Sequence, residues 1–203
     1  MTTQERIFKA LANHVPENAV HYCYDLWKEN PFELKLSRSR STKLGDYRYD
    51  SRERSERISV NRDLNPYSFL ITYLHEVAHQ KAYHDHGRKI QPHGKEWKST
   101  FSKLLEPVMT DLIFPEDILN AVKEYQKSPK ATSSGHHGLA LALNQINGEG
   151  SLLSEIEENS EFILGKRTFR KGKLRRTRYI CTEVRNGRKF LISKNAIVRL
   201  IGD

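Results

Sequence analysis

Apolar positions along this chain change their spacing several times, and each change marks a different kind of element. Over residues 3–13, Ile7, Phe8 and Leu11 recur at helical spacing among Gln4, Glu5, Arg6 and Lys9, which predicts an amphipathic helix. Val15-Pro16 breaks it, and a second helix is expected over 17–30 with Glu17 in its first turn. The period then falls to two. Phe32, Leu34 and Leu36 alternate with polar neighbours up to Ser37, as in a half-buried strand. Gly45-Asp46 marks a turn, Tyr47–Tyr49 and Arg57–Asn61 read as short strands, and charged residues 50–56 read as a hairpin loop. From Tyr67 to about Tyr83, Phe69, Leu70, Tyr73, Leu74, Val77 and Ala78 form a wide apolar stripe, opened by Asn65 as N-cap and Pro66 at the first helical position. Helices over 94–105 and 115–126 follow, the first packing through Trp97, Phe101 and Leu104. Helices around a small antiparallel sheet make an α+β fold.

The pattern changes again after residue 127. Small polar residues over 128–135, and Asn147-Gly148-Glu149-Gly150, read as linker, with a helical turn or two over 139–146 between them. Short strands are expected at 162–164, 168–169, 178–184, 189–192 and 197–201, with Lys171-Gly172 and Asn186-Gly187 as turn pairs. The expected organisation is a domain over 1–128, a linker over 129–160 and a small antiparallel β unit, sheet or barrel, over 161–203.

Charge sharpens that division. From Lys166 to Asp203 there are 13 Lys and Arg against two acids, Glu183 and Asp203, while the whole chain carries only +9. The basic character therefore belongs to the last 38 residues, as expected of a surface that meets nucleic-acid phosphates. Candidate contacts are Lys166, Arg167, Arg170, Lys171, Lys173, Arg175, Arg176 and Arg178, with Phe169, Tyr179 and Phe190 interleaved for stacking or for a core. Other bulk properties mainly exclude. No run approaches 18 apolar residues, so no membrane span is expected, and residues 1–12 do not read as a signal peptide. Two distant cysteines, Cys23 and Cys181, argue against a disulfide framework and fit a reducing cytoplasm.

Chemistry concentrates in the apolar helix of residues 67–83. His75-Glu76-Val77-Ala78-His79 places two imidazoles at i and i+4, on one helix face, where both can meet one ion. Glu76 lies about 100° around the helix from His75, beside the ligands, where a carboxylate can take a proton from an activated water. A catalytic zinc site takes three protein ligands and keeps one open position, so a third ligand is due. The metzincin spacing fails, because Ala82 and Asp85 stand where it needs Gly and His. His84 would point off the shared face, and His86 could reach only if the helix ended sharply at Gly87. His93 follows a polar loop and opens the Trp97 helix, which makes it the best third ligand. A core helix carrying two surface histidines would leave five histidines between residues 75 and 93 unexplained. The His136-His137 pair has no spaced partner and is not counted as a site.

His75-Glu76-x-x-His79 followed by His93-Gly94-x-x-Trp97 resembles the SprT-like (Spartan-related) metalloprotease domain. The approach through Lys43-Leu44-Gly45-Asp46-Tyr47 and the strand Ile58–Asn61 is similar too, and the resemblance covers residues 3–127. It implies a zincin-like fold, one zinc ion held by His75, His79 and His93, and Glu76 as catalytic base. It further implies proteolysis of protein substrates near DNA, as in DNA–protein crosslink repair. Many such proteins end in a zinc ribbon with paired Cys-x-x-Cys motifs, whereas this chain, with one cysteine in that region, fits a bacterial type without it. Two other readings compete: a nucleic-acid-binding module with a purely structural zinc, and a non-proteolytic partner of transcription or repair machinery.

Overall fold

The computed structural model describes residues 1–40, 43–87, 89–129, 136–145, 151–165, 167–194 and 196–201, which fall into two compact units, Met1–Leu139 and Ala140–Asp203. The first opens with helix α1 (Thr3–Ala12), where Thr2 and Glu5 form a reciprocal capping box. A 3-10 turn (Glu17–Ala19) leads into α2 (Val20–Glu29), which buries Cys23, Leu26 and Trp27. Strands β1 (Glu33–Ser37), β2 (Gly45–Asp50) and β3 (Ser55–Asn61) form a three-stranded sheet in the order β1-β3-β2. The hairpin β2–β3 is antiparallel as expected, but β1 pairs with β3 in parallel. The cause is topological. The chain leaves β1, crosses to the far edge as β2, and returns through the middle as β3 in the direction of β1.

Helix α3 (Pro66–His86) is the axis of this unit. Asn65 caps it by accepting from the Ser68 N–H at 2.9 Å, and Pro66 occupies the first turn, where no donor is missed. Its buried residues run from Phe69 to Ala82 around most of its circumference, so the expected stripe is closer to a fully enclosed helix. The Tyr73 hydroxyl donates to the Cys23 carbonyl, tying α3 to α2. Gly87 ends α3 with φ of 75°, a left-handed value that suits glycine. Helices α4 (Lys95–Leu105) and α5 (Glu116–Lys127) complete the packing, with Trp97, Phe101, Phe114 and Tyr125 fully buried. Helix α6 (His137–Gln145) follows; Ile146, the last residue of the expected helix, lies outside the described residues.

The second unit is an antiparallel sheet of β4 (Ser151–Leu152), β5 (Glu161–Leu164), β6 (Arg167–Arg170), β7 (Leu174–Arg175), β8 (Arg178–Glu183), β9 (Lys189–Ser193) and β10 (Ile197–Leu200). Pairing runs β4-β10-β5-β6-β8-β7, with β9 on the other side of β8. Leu153, Ile156, Phe162, Phe169, Cys181, Ile192 and Val198 form its core. Residues 151–156, read as linker, thus belong to this sheet and core, because their short apolar run pairs with β10 rather than lying in solvent. The Lys171-Gly172 pair is not a hairpin turn but the bend between β6 and β7, which both lie along β8. Asn186-Gly187 does turn β8 into β9, with Gly187 at φ of 70°.

Candidate metal centre

One turn of α3 separates His75 and His79, and the chain returns His93 to them from the loop before α4. Their Nε2 atoms form a near-equilateral triangle: 3.2 Å between His75 and His79, 3.1 Å between His75 and His93, and 3.0 Å between His79 and His93. These residues form a three-ligand group that could hold a metal ion. Each neutral imidazole nitrogen is either donor or acceptor, so at least one edge of such a triangle sets two alike against each other. An ion that accepts all three lone pairs removes the conflict. Three nitrogens each about 2.0–2.1 Å from one tetrahedral ion stand about 3.3–3.4 Å apart, close to the separations seen.

Electrostatics holds the histidines in the ligating form. Burial, then the neighbouring His79 and His93, depress His75 to a pKa of about 3. Burial and His93 take His79 to about 4, and burial lowers His93 as well. All three are neutral near pH 7, as ligation requires. Trp97 positions the set: its ring lies 4.5 Å from His75, 5.3 Å from His79 and 4.7 Å from His93, and its indole N–H donates to the His75 carbonyl. His93 is held at φ of 61°, an uncommon conformation for a side-chain-bearing residue. Gly94 follows because a Cβ there would lie 2.9 Å from the Gln91 carbonyl oxygen.

Glu76 is buried on the neighbouring face of α3, 6 % exposed. Burial, reinforced by Asp46, pushes its carboxyl up to about 8, against the pull of a hydrogen bond from the Tyr47 backbone N–H and of Arg40 and Lys43. The start of β2 therefore roofs the carboxylate. Gly45 lies so close that a Cβ there would collide with Glu76 Oε1 and stand 2.7 Å from Thr72 Cγ2. The sequence reads Gly45 as a turn; its role over Glu76 follows only from the packing of β2 against α3.

Behind the roof lies a polar network that the sequence did not disclose. Glu56 accepts from the Tyr47 hydroxyl at 2.7 Å, from His84 Nε2 at 2.8 Å and from Gln80 Nε2 at 2.5 Å. His84 thus braces the strand over Glu76 rather than the metal triad, and His86 is exposed at the end of α3. His136 accepts from the Leu139 N–H and caps α6.

The basic candidates fall into distinct settings. Cys181 and Ile192 face the core of the β unit, so by alternation Arg178, Ile180, Thr182, Lys189, Leu191 and Ser193 share the opposite face. Cross-strand register adds Arg170 beside Thr182 and Arg175 beside Arg178. Arg170, Arg175, Arg178 and Lys189 thus surround an Ile180–Leu191 pair on one exposed sheet face. Arg170 also pairs with Glu161 at 2.8 Å. Lys173 and Arg176 are exposed at the β7 end, whereas Arg167 sits on the other side, near Glu183 and over the Phe190 ring. Lys171 is a correction. It is 5 % exposed, donates to the Ile156 carbonyl and lies 4.2 Å from the Tyr179 ring centre, so it stabilises the fold and is not presented to a ligand. Phe169 and, in part, Tyr179 and Phe190 are core as well. Lys166 lies outside the described residues.

Among the described residues, no helix is long and apolar enough to cross a membrane. No curated protein and no solved structure was found to match the chain. A match to the SprT-like family spans residues 5–112, from α1 through the triad, the Glu76 helix and the Trp97 helix. It covers more than half of the sequence, and with it the chain belongs to the SprT-like family, whose domain is of the zincin-like metallopeptidase type.

Proposed function

We propose that the protein is a zinc-dependent metalloendopeptidase that acts on protein substrates at or near DNA, with residues 1–128 carrying the chemistry, a linker beginning at 129, and the β unit serving as a nucleic-acid clamp. The observation that carries the catalytic half is Glu76, a buried carboxylate raised to about 8 beside three converging imidazoles. A structural zinc site is closed by four protein ligands, whereas the group here, among the described residues, has three. His75, His79 and His93 would hold the ion, and when bound it supplies Lewis acidity to a water and to the scissile carbonyl. Glu76 takes a proton on its carboxylate and returns it to the leaving amine, a transfer suited to a group poised near neutrality. Burial excludes competing water, and the Tyr47 N–H fixes the carboxylate's direction. Strand β2 is an edge of its sheet, where an extended peptide would pair.

The clamp rests on the exposed face bearing Arg170, Arg175, Arg178 and Lys189 around Ile180 and Leu191, with Lys173 and Arg176 beside it. Both cysteines are free and buried, in keeping with a reducing cytoplasm. The test is cleavage of casein and of a DNA-bound protein by the zinc-loaded chain, with single-stranded, double-stranded and no DNA. Cleavage that a chelator stops and DNA enhances is expected. Chelator-insensitive cleavage, or none in any arm, overturns the peptidase assignment, and indifference to DNA overturns the clamp.

A further inference from the structure

Beside the triad the surface is hollowed into a cleft of about 330 Å3, walled by Tyr47, Tyr49, Tyr83, Ile90, Pro92 and Trp97 and by the ligand His79. Its walls come from β2, the C-terminal half of α3, the loop before α4 and the first turn of α4. The Tyr83 ring centre lies 6.3 Å from Tyr47 and 5.2 Å from Tyr49, so the three tyrosines form one cluster. The Tyr47 hydroxyl is engaged by Glu56, which leaves the ring as its contribution to the wall. Among the described residues no Lys, Arg, Asp or Glu lines the cleft.

We infer that this cleft is the subsite that selects the peptide, taking a bulky apolar side chain, aromatic or long aliphatic, next to the scissile bond. The inference rests on the peptidase assignment for its geometry. His79 is both a member of the triad and a wall, and Tyr47 contributes a wall while its backbone N–H holds Glu76. A side chain in the cleft therefore belongs to a residue directly flanking the bond that Glu76 serves. The walls decide its chemistry. Ring faces of Tyr and Trp gain from aromatic and aliphatic contact, and the polar side chains of the described wall, Ser51 and Gln91, carry no charge to meet an acidic side chain. The volume decides its size, since a methyl group would leave most of the space to water. Ile90 stands among the rings as the residue whose replacement most directly changes the cleft's polarity.

The test uses full-length, zinc-loaded Glu76→Gln protein, so that binding is read without turnover. Labelled peptides differing only at the residues flanking one bond (Phe, Leu, Ala, Asp or Lys) are titrated by fluorescence anisotropy. The Phe and Leu peptides are expected to bind roughly 10-fold or more tightly than the Ala and Asp peptides. Ile90→Asp is expected to weaken the Phe peptide by a similar factor and to strengthen the Lys peptide, a gain that an unfolded variant cannot produce. Equal affinities, undetectable binding of all the peptides, or a preference for Ala, Asp or Lys in the parent protein overturns the subsite. Wild-type protein is assayed on the same peptides for cleavage. Preference without cleavage keeps the subsite and removes the peptidase assignment; cleavage without preference does the reverse.

Discussion

At Gly45 a single hydrogen in place of a side chain lets β2 close over the Glu76 carboxylate. Gly45→Ala is expected to displace that carboxylate while leaving the triad intact. Peptidase activity should fall roughly 100-fold, the scale of an ångström's misplacement, with metal content unchanged by elemental analysis. The titrating groups make a second residue-scale test, on the metal-free protein. His75 and His79 have folded-state pKa values near 3 and 4, below the unfolded value of 6.5, so the unfolded chain binds more protons and stability falls as pH drops below about 6.5. Glu76 has a folded value near 8, above its unfolded 4.5, so it costs stability as pH rises from about 5 through 8. Below pH 6.5 the two histidines outweigh the one carboxyl, and above it the carboxyl acts alone. The apparent Tm of the apo form should therefore peak near pH 6.5, and Glu76→Gln should remove the alkaline decline. A flat alkaline limb in the parent protein would contradict the assigned state of Glu76. The placement of His75, Glu76 and His79 was legible in the sequence because it is local, a four-residue spacing on one helix, and the fold brings His93 to them from the loop before α4. Gly45 and the Tyr47–Glu56–His84 brace were not, because they depend on which strand lies against that helix.

At the scale of elements, α4 exists in the site to deliver Trp97 under three imidazoles. Trp97→Ala removes a fully buried ring and is expected to destabilise the first unit by roughly 3–5 kcal/mol in denaturant unfolding. It should also weaken metal binding more than the milder Trp97→Phe. The start of α3 was read closely, since the Asn65 cap and Pro66 carry their own backbone chemistry, whereas the helix, expected to end near Tyr83, runs on to His86 before Gly87 stops it. Strand partnerships were read less well. Nothing local to Glu33–Ser37 says that β3, not β2, will lie beside it, and two-residue strands such as β4 and β7 are too short to show a period. Lys171 was misassigned for a related reason: in a run of cations, a sequence does not show which side chain turns inward to the Ile156 carbonyl.

For the whole molecule, the proposed division of labour follows net charge. Residues 1–165 together carry −2 and include the candidate metal centre, while the net positive charge lies in residues 166–203. Nucleic-acid affinity should fall steeply with salt. The double variant Arg175→Glu, Arg178→Glu should weaken binding and reduce the slope of log K against log salt by about 2. Lys171→Met should instead lower the Tm of the β unit and leave that slope unchanged. Salt-independent binding, or an unaltered slope in the double variant, contradicts the placement of the clamp on that face.

His75, His79, His93 and Glu76 are proposed to form one hydrolytic site. Its most direct test measures zinc stoichiometry and casein cleavage together in wild-type and Glu76→Gln protein. One zinc per chain in both, with cleavage confined to the wild type, is the expected result. Cleavage by the Glu76→Gln protein, or a wild type that cleaves without zinc, contradicts it.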